Sequence, residues 1–220
     1  MRFVAFSLIC VSFAGCLTVE RKATTVRGAA PDFEIDHLRA AALLVDRGEL
    51  APAIPHLQAH LKQHPDAPMI RAYLAELLLK TGHNAEAKIH YERFIRDAAE
   101  QDGLSQQHLV HAHTKLMELA ADADDEFGEY LHRGIALLLL ASQSTETESL
   151  NEQTLHKAAV ALKAAIRINA DDPRPLLPLH VVQSKMDQPG AARQTLTKLR
   201  ATLHDPVWSP SERERIRTAE

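Results

Sequence analysis

The sequence predicts an all-α protein of about ten helices that follow one another as hairpins. From Asp32 onward, apolar residues recur with the period of a helix rather than that of a strand. Gly48 and Gly82 are related by a 34-residue spacing, and each follows an apolar helical stripe, which indicates a repeated helix–turn–helix unit. No β-branched alternation runs for five residues between turn residues, so no strand is predicted.

The composition excludes several classes of function. The chain has 220 residues, of which 45% are apolar and 25% charged, so most of it is folded rather than disordered. Its 25 Lys and Arg residues against 29 Asp and Glu residues leave a net charge of −4, which excludes a strongly basic surface for nucleic acid. Only 8 glycines and 5% aromatic residues argue against a β-sandwich and against a glycine-looped nucleotide enzyme.

Residues 1–15 have the pattern of an export signal peptide. Arg2 supplies a positive charge, and residues 3–15 form an apolar run broken only by Ser7 and Ser12. A membrane-spanning helix needs about 20 apolar residues, so this run of thirteen is too short to cross a bilayer. Its length suits the hydrophobic region of a signal peptide.

The end of this run resembles the lipoprotein signal of bacteria, in the segment Phe13-Ala14-Gly15-Cys16. The resemblance implies that Cys16 becomes the mature N-terminus and carries a thioether-linked diacylglycerol and an N-acyl chain, which anchor it stably in a membrane. The alternative is an ordinary secretory signal cut near the same place. Leu17 after the cysteine resembles cargo of the outer membrane. We therefore expect a lipid-anchored protein of the bacterial cell envelope, on the outer membrane and facing the periplasm.

Residues 16–31 are predicted to form the lipidated N-terminus and a flexible tether. The segment has little apolar periodicity and is rich in Thr, Ala, Gly and charge. The fifteen residues after the cysteine extend at most about 50 Å, at about 3.3 Å per residue. Cys10 leaves with the signal peptide, so a lipidated chain has neither a free thiol nor a disulfide. Redox chemistry and a cysteine nucleophile are then excluded.

Residues 32–102 contain two clear repeat units. Ala53 and Ala87 repeat the 34-residue spacing of the two glycines, while Ala41 and Ala75 precede those glycines at equal distances. This pattern resembles the tetratricopeptide repeat (TPR), in which small residues let the two helices of a unit approach closely. The resemblance implies a right-handed, TPR-like solenoid whose first helices line a concave face.

Beyond residue 102 the repeat is less regular. Residues 103–149 are predicted to form an irregular pair of helices followed by a polar insertion, and the phase of the repeat is unresolved there. Residues 150–206 resemble degenerate TPR units, in which Asp187 replaces the turn glycine and His180 replaces a small residue.

The C-terminal part carries helix-start signals. Ser149 and Ser209 each stand three positions before a glutamate, which is the pattern of a capping box. Residues 207–220 are therefore predicted to form a short capping helix, which Trp208 packs onto the array.

The resemblance to TPR proteins also implies where a partner binds. In that family, first-helix side chains outside the core line the concave face, and a mix of apolar and charged groups suits an extended or helical peptide. We expect the partner to be a protein or peptide of an envelope complex. The corresponding residues in this sequence are Leu38, Ala42, Val45, Asp46, Ala72, Glu76, Leu79, Lys80, Arg174, Val181 and Lys185.

Histidines offer an alternative function, a metal-binding or small-ligand-binding protein of the envelope. The chain has 13 histidines, and His56, His60 and His64 share one face of a predicted helix. The pair His56 and His60, at i and i+4, can chelate a transition metal if a third ligand arrives. The opposing interpretation is that these histidines are solvated or packed, since a histidine near a helix C-terminus is favourable without any metal.

Enzyme signatures are missing from the sequence. It contains no G-x-S-x-G, no Walker glycine loop and no dinucleotide-binding fingerprint. We therefore expect an adaptor or scaffold for protein–protein interaction, without a cofactor, rather than an enzyme.

Overall fold

The computed structural model describes residues 36–99, 105–143 and 148–219, and in these ranges it contains ten α-helices and no strand. The predicted signal peptide, Cys16 and the tether lie outside the described residues. Among the described helices, none is both long and apolar enough to cross a membrane. The helices are α1 (His37–Asp46), α2 (Leu50–Gln63), α3 (Pro68–Lys80), α4 (Asn84–Ala99), α5 (Gln106–Asp122), α6 (Glu126–Gln143), α7 (Glu148–Ile168), α8 (Leu176–Lys185), α9 (Pro189–Ala201) and α10 (Pro210–Thr218).

Successive helices pack against one another, and residues 36–220 form one compact unit. Four hairpins are evident, α1–α2, α3–α4, α5–α6 and α8–α9, each closed by a turn of three residues. The predicted fold class, an all-α solenoid of helical hairpins, is confirmed for the described residues. It follows from the amphipathic period of the sequence, because each hairpin has an apolar side that only a neighbouring hairpin can cover.

The four hairpin turns share one backbone conformation. The middle residue of each turn has a positive φ, between +51° and +81°, which ends the first helix. The next residue donates its N–H to the carbonyl five positions earlier, at 2.8–3.0 Å. The prediction that the two glycines end helices is therefore confirmed, and two aspartates adopt the same conformation. The four residues are Gly48, Gly82, Asp124 and Asp187.

Small residues allow the first four helices to pack closely. Ala41, Ala53, Ala75 and Ala87, which the repeat alignment placed at helix contacts, are all completely buried. Leucines of the first three helices pack around Ala41, Ala53 and Ala87, whereas Ala75 packs against Tyr91 and Phe94 of α4. A larger side chain at any of the four positions would have to displace a neighbouring helix.

The middle of the chain resolves into a third hairpin, α5–α6, followed by the long helix α7, which packs closely against α6. Helices α5 and α6 are joined at Asp124, and α7 then lies between this turn and the one at Asp187. Gly134 of α6 faces α7 so closely that a β-carbon added to it would lie 2.6 Å from Leu162 Cγ. The predicted cap at Ser149 is wrong, because α7 begins at Glu148 and places that serine inside the helix.

The C-terminal helix closes the array as predicted. Ser209 forms a complete capping box at the start of α10. Trp208 is 4% exposed, and its Nε1 donates to Thr202 Oγ1 at 3.2 Å. Together with Ile216 it covers Leu199 of α9, so the apolar end of the last hairpin is shielded from water.

Candidate functional site

A cleft of about 310 Å³ lies between α3 and α5. Its α3 side is formed by Glu76, Leu79 and Lys80, three of the residues predicted to line the groove. The α5 side was not predicted, because the sequence left the phase of residues 103–149 open. That side contributes Lys115, Glu118 and Asp122.

Helix α4 holds the two walls of the cleft in place. Ala75 of α3 and Ala112 of α5 are both almost completely buried against Tyr91 and Phe94 of α4. Leu116, one turn further along α5, completes this core. Because small residues face the aromatic rings from both sides, α3 and α5 stand close enough for their outer side chains to form one surface.

The carboxylate of Glu76, which lines the α3 side of the cleft, is held in place by three neighbouring side chains. Tyr91 Oη donates to Glu76 Oε2 at 2.8 Å, and His111 Nε2 lies 3.3 Å from the same oxygen. Lys80 Nζ is 3.6 Å from Oε1. The hydrogen bond from His111, and after it that from Tyr91, lower the pKa of Glu76 to about 2, although burial opposes the shift. Burial and the Glu76 charge raise the pKa of Tyr91, so its hydroxyl stays a donor.

The remaining side chains give the cleft both signs of charge above an apolar floor. Lys115 Nζ contacts Glu118 Oε2 at 2.7 Å, and Asp122 lies at the same rim. Leu79 and the nearly buried Leu119 form the floor. Such a surface can hold a peptide through apolar contacts and ion pairs.

Helix α1 contributes less to an open surface than the sequence predicted. Leu38 and Val45 are only partly exposed, because they pack against the core shared by α1–α4. Ala42 is also partly exposed, whereas Asp46 at the end of α1 is exposed. In the second unit, Ala72 packs against the core of α3–α5.

The three predicted residues of the last unit lie apart from this cleft. Arg174 precedes α8, pairs with Asp172 at 2.7 Å, and places its guanidinium 5.2 Å from the ring centroid of Phe127. Val181 packs against the core of α6–α8, and Lys185 is the exposed last residue of α8. None of the three is among the side chains that line the α3–α5 cleft.

The structure places His56 and His60 in two separate ring pairs. His56 Nδ1 lies 3.1 Å from His37 Nδ1, while the ring centroids of His60 and His64 are 4.6 Å apart. Burial, followed by the charge of His64, lowers the pKa of His60. In the part of the chain that the structure describes, no group of three or more His, Cys, Asp or Glu residues could hold a metal ion.

A second histidine pair repeats the geometry of the first. His113 and His132 have their Nδ1 atoms 3.0 Å apart, and both pairs have the same separation of 19 along the chain. Burial, followed by the charge of His132, lowers the pKa of His113 to about 3. Burial and the cations Arg174 and Lys88 lower the pKa of His132 to about 4. The matching separations of the two pairs were visible in the sequence and were missed.

No protein-family model and no curated protein matches this chain. Several solved structures are similar to it. One is TTC0263, a thermophilic TPR protein of Thermus thermophilus, with 21% identity over 75% of this chain and 72% of that chain and a TM-score of 0.36. A structure of MamA shares 13% identity over 84% and 94% of the two chains, with a TM-score of 0.39. MamA from residue 41 to its end, from Desulfovibrio magneticus, shares 14% identity over 77% and 94%, with a TM-score of 0.36.

Proposed function

We propose that this protein is a lipid-anchored TPR adaptor of the bacterial cell envelope, which binds a partner protein or peptide in the cleft between α3 and α5. The observation that carries this proposal is the cleft itself. It combines an apolar floor with fixed charges of both signs, on helices held by a common core. This arrangement suits recognition of a polypeptide and supports a binding role rather than a catalytic one.

The cleft would hold a partner without a large rearrangement. Glu76 is kept ionised by Tyr91 and His111, which hold its pKa low, so its charge is available before the partner arrives. Lys80 and Glu118 lie on opposite walls and can form ion pairs with oppositely charged side chains of a bound segment. Since the side chains are already placed, binding costs less ordering entropy than at a mobile surface.

The membrane anchor belongs to this proposal through Cys16. An acylated cysteine at the end of the tether would hold the folded body near the bilayer and restrict its search for a partner to that surface. The resemblance of residues 13–17 to lipoprotein signals supports this part, including its placement on the outer membrane facing the periplasm.

In-cell crosslinking, followed by detergent extraction, affinity purification and mass spectrometry, tests both parts. The baits are the full-length protein, a Cys16→Ala variant, and a cleft variant with Lys80→Glu and Glu118→Lys. Lys198 is exposed on α9, so Lys198→Glu serves as the surface control. We expect one dominant partner that is lost with the cleft variant and with Cys16→Ala but kept with the control. A partner captured equally by the cleft variant would refute the α3–α5 site.

The metal-binding alternative stays a prediction that zinc titration of the soluble body can test. Stoichiometric binding tighter than micromolar, abolished by His56→Ala with His60→Ala, would support it. Weaker binding, or binding unchanged in this double variant, would leave the adaptor as the better explanation.

A further inference from the structure

A second cleft, of about 360 Å³, lies between α6 and α7 and is separate from the one described above. Its lining is mainly apolar, from Tyr130 and Leu137 of α6 and Val160 and Ala161 of α7. Val160 is 66% exposed, more than any other large apolar side chain in the described ranges. A valine presented to water beside a groove is a typical feature of an interaction surface.

The outer face of α7 continues this surface along the helix. At 100° per residue, the exposed residues 150, 153, 156, 157, 160, 163, 167 and 168 fall within an arc of about 140°. This exposed stripe is about 27 Å long, at 1.5 Å per residue. It carries the aliphatic residues Leu150, Val160 and Ile168 and the cations Lys157, Lys163 and Arg167.

The charge of the stripe is unbalanced. Within the described ranges, no ion pair is formed by Lys157, Lys163 or Arg167. Glu152, at the edge of the stripe, lies 4.0 Å from His156. The chain as a whole has a net charge of −4, so this basic face differs from the remainder of the surface.

Arg133 lines the α6 side of the cleft, opposite α7. Its guanidinium pairs with Glu129 one turn earlier and lies 5.5 Å from the ring centroid of Tyr130. The aromatic lining of the cleft is therefore held from the α6 side, while Lys157 is exposed on the α7 side. An apolar group entering between the helices would meet a cation on each side.

We propose that the α6–α7 cleft is a docking site for an amphipathic helix of a partner protein, whose apolar ridge enters the cleft and whose Asp and Glu side chains pair with Lys157, Lys163 and Arg167. Three features favour this occupant. The cleft is concave and accepts side chains, the cations of the stripe attract acidic partners, and the length of the stripe matches a helix of about 18 residues. A flat bilayer would satisfy the cations but would leave the cleft unfilled.

The test uses residues 36–220, which form a compact unit with their own cores, and a synthetic helical peptide as long as the stripe. The peptide has leucines along one face and glutamates elsewhere, and a second peptide replaces every glutamate with lysine. Amide chemical shifts of the isotope-labelled protein report where each peptide binds. We expect the glutamate peptide to shift amides of α6 and α7 around the cleft and to bind at least tenfold more tightly than the lysine peptide.

Matched variants identify the residues involved. Val160→Glu with Lys157→Glu should weaken binding of the glutamate peptide at least tenfold. Ile89, on α4, is 63% exposed, so Ile89→Glu with Lys198→Glu makes equivalent surface changes elsewhere and should alter the affinity less than twofold. All four substituted side chains are exposed, and circular dichroism verifies that both variants fold.

Three results would overturn the proposal. The first is the absence of shifts around the cleft, and the second is equal loss of affinity in the control variant. The third is binding to vesicles of phosphatidylglycerol and phosphatidylcholine through Val160 and Lys157, without binding of the glutamate peptide, which would identify a membrane-contact face instead. The α3–α5 cleft is unaltered in every variant and the test fragment does not include Cys16, so failure here leaves the proposed adaptor function to its own test.

Discussion

Gly134→Ala tests whether α6 and α7 are packed as tightly as the structure indicates. The added β-carbon would lie 2.6 Å from Leu162 Cγ, 2.8 Å from its Cδ2 and 3.3 Å from the carbonyl oxygen of Ala158. Leu162 is completely buried, so neighbouring atoms restrict its movement away from the new methyl group. The substitution must therefore push the two helices apart or force the leucine out of its rotamer.

The expected magnitude follows from two opposing effects. Replacing a glycine with alanine inside a helix stabilises the helix by about 0.5–1 kcal/mol. Overpacking of a tight core costs about 1–3 kcal/mol. With two contacts well below van der Waals distance, the second effect dominates, and we expect a net loss of about 1–2 kcal/mol. Gly190, near the start of α9, has nothing within 4 Å of the same position, so Gly190→Ala should be neutral or slightly stabilising.

Urea unfolding followed by circular dichroism measures the difference between these variants. We expect the midpoint of Gly134→Ala to fall by about 0.5–1 M relative to that of Gly190→Ala. Adding Leu162→Ala, which alone costs about 2–5 kcal/mol, should cost less in the Gly134→Ala background because the new methyl group occupies part of the cavity. Equal midpoints for the two alanine variants, or additive losses in the double variant, would refute the close α6–α7 contact.

Three further measurements examine other parts of the structure. Ala53→Leu should lower the free energy of unfolding by about 1–3 kcal/mol through overpacking, and unchanged melting would contradict the repeat alignment. His113 and His132 have folded-state pKa values of about 3 and 4, below the ordinary 6.5. Between these folded-state values and pH 6.5, the unfolded chain therefore binds more protons than the folded chain. Their contribution to stability is therefore complete above pH 6.5 and declines as the pH falls, by about 2 kcal/mol per histidine at about pH 5. In a pH series of unfolding curves, the free energy of unfolding should depend less steeply on pH after both histidines are replaced with glutamine. Glu76→Ala removes the acceptor of the Tyr91 hydroxyl and should cost about 1–3 kcal/mol in thermal melts, whereas Glu76→Gln should recover most of this loss.

The sequence predicted the first two hairpins because their turns contain glycine. Gly48 and Gly82 adopt the left-handed conformation with little strain, so their spacing reveals the repeat. A pair of helices was also predicted in residues 103–149, but the phase of the repeat stayed open there, because an aspartate, Asp124, occupies the turn position and does not follow Gly82 at the repeat spacing. A positive φ is uncommon outside glycine, but aspartate is one of the residues that adopt it most often, and Asp124 and Asp187 both do so here. Ser149 does not cap α7, because the helix already includes Glu148 before it. A capping box requires the serine to stand directly before the first helical residue.

The candidate cleft was predicted from one side only. Glu76, Leu79 and Lys80 came from the resemblance to TPR proteins, whose concave-face positions could be carried onto α3 because Gly82 marks the repeat. Their counterparts on α5 depend on a contact between helices that are separated by the whole of α4, and no local pattern encodes that distance. The same reason explains Arg174, whose contact with Phe127 brings together residues far apart along the chain.

Helix α10 covers the apolar surface that the α8–α9 hairpin would otherwise expose. In a stack of hairpins, each hairpin contacts only its neighbours along the stack. The surface at the end of the stack therefore resembles the surfaces that are buried between hairpins. Trp208 and Ile216 occupy the surface on which another hairpin would otherwise stack. A copy lacking them would expose the apolar surface of α8 and α9, through which two such copies could associate. Residues 207–219 thus protect the apolar surface of the last hairpin from association with other copies.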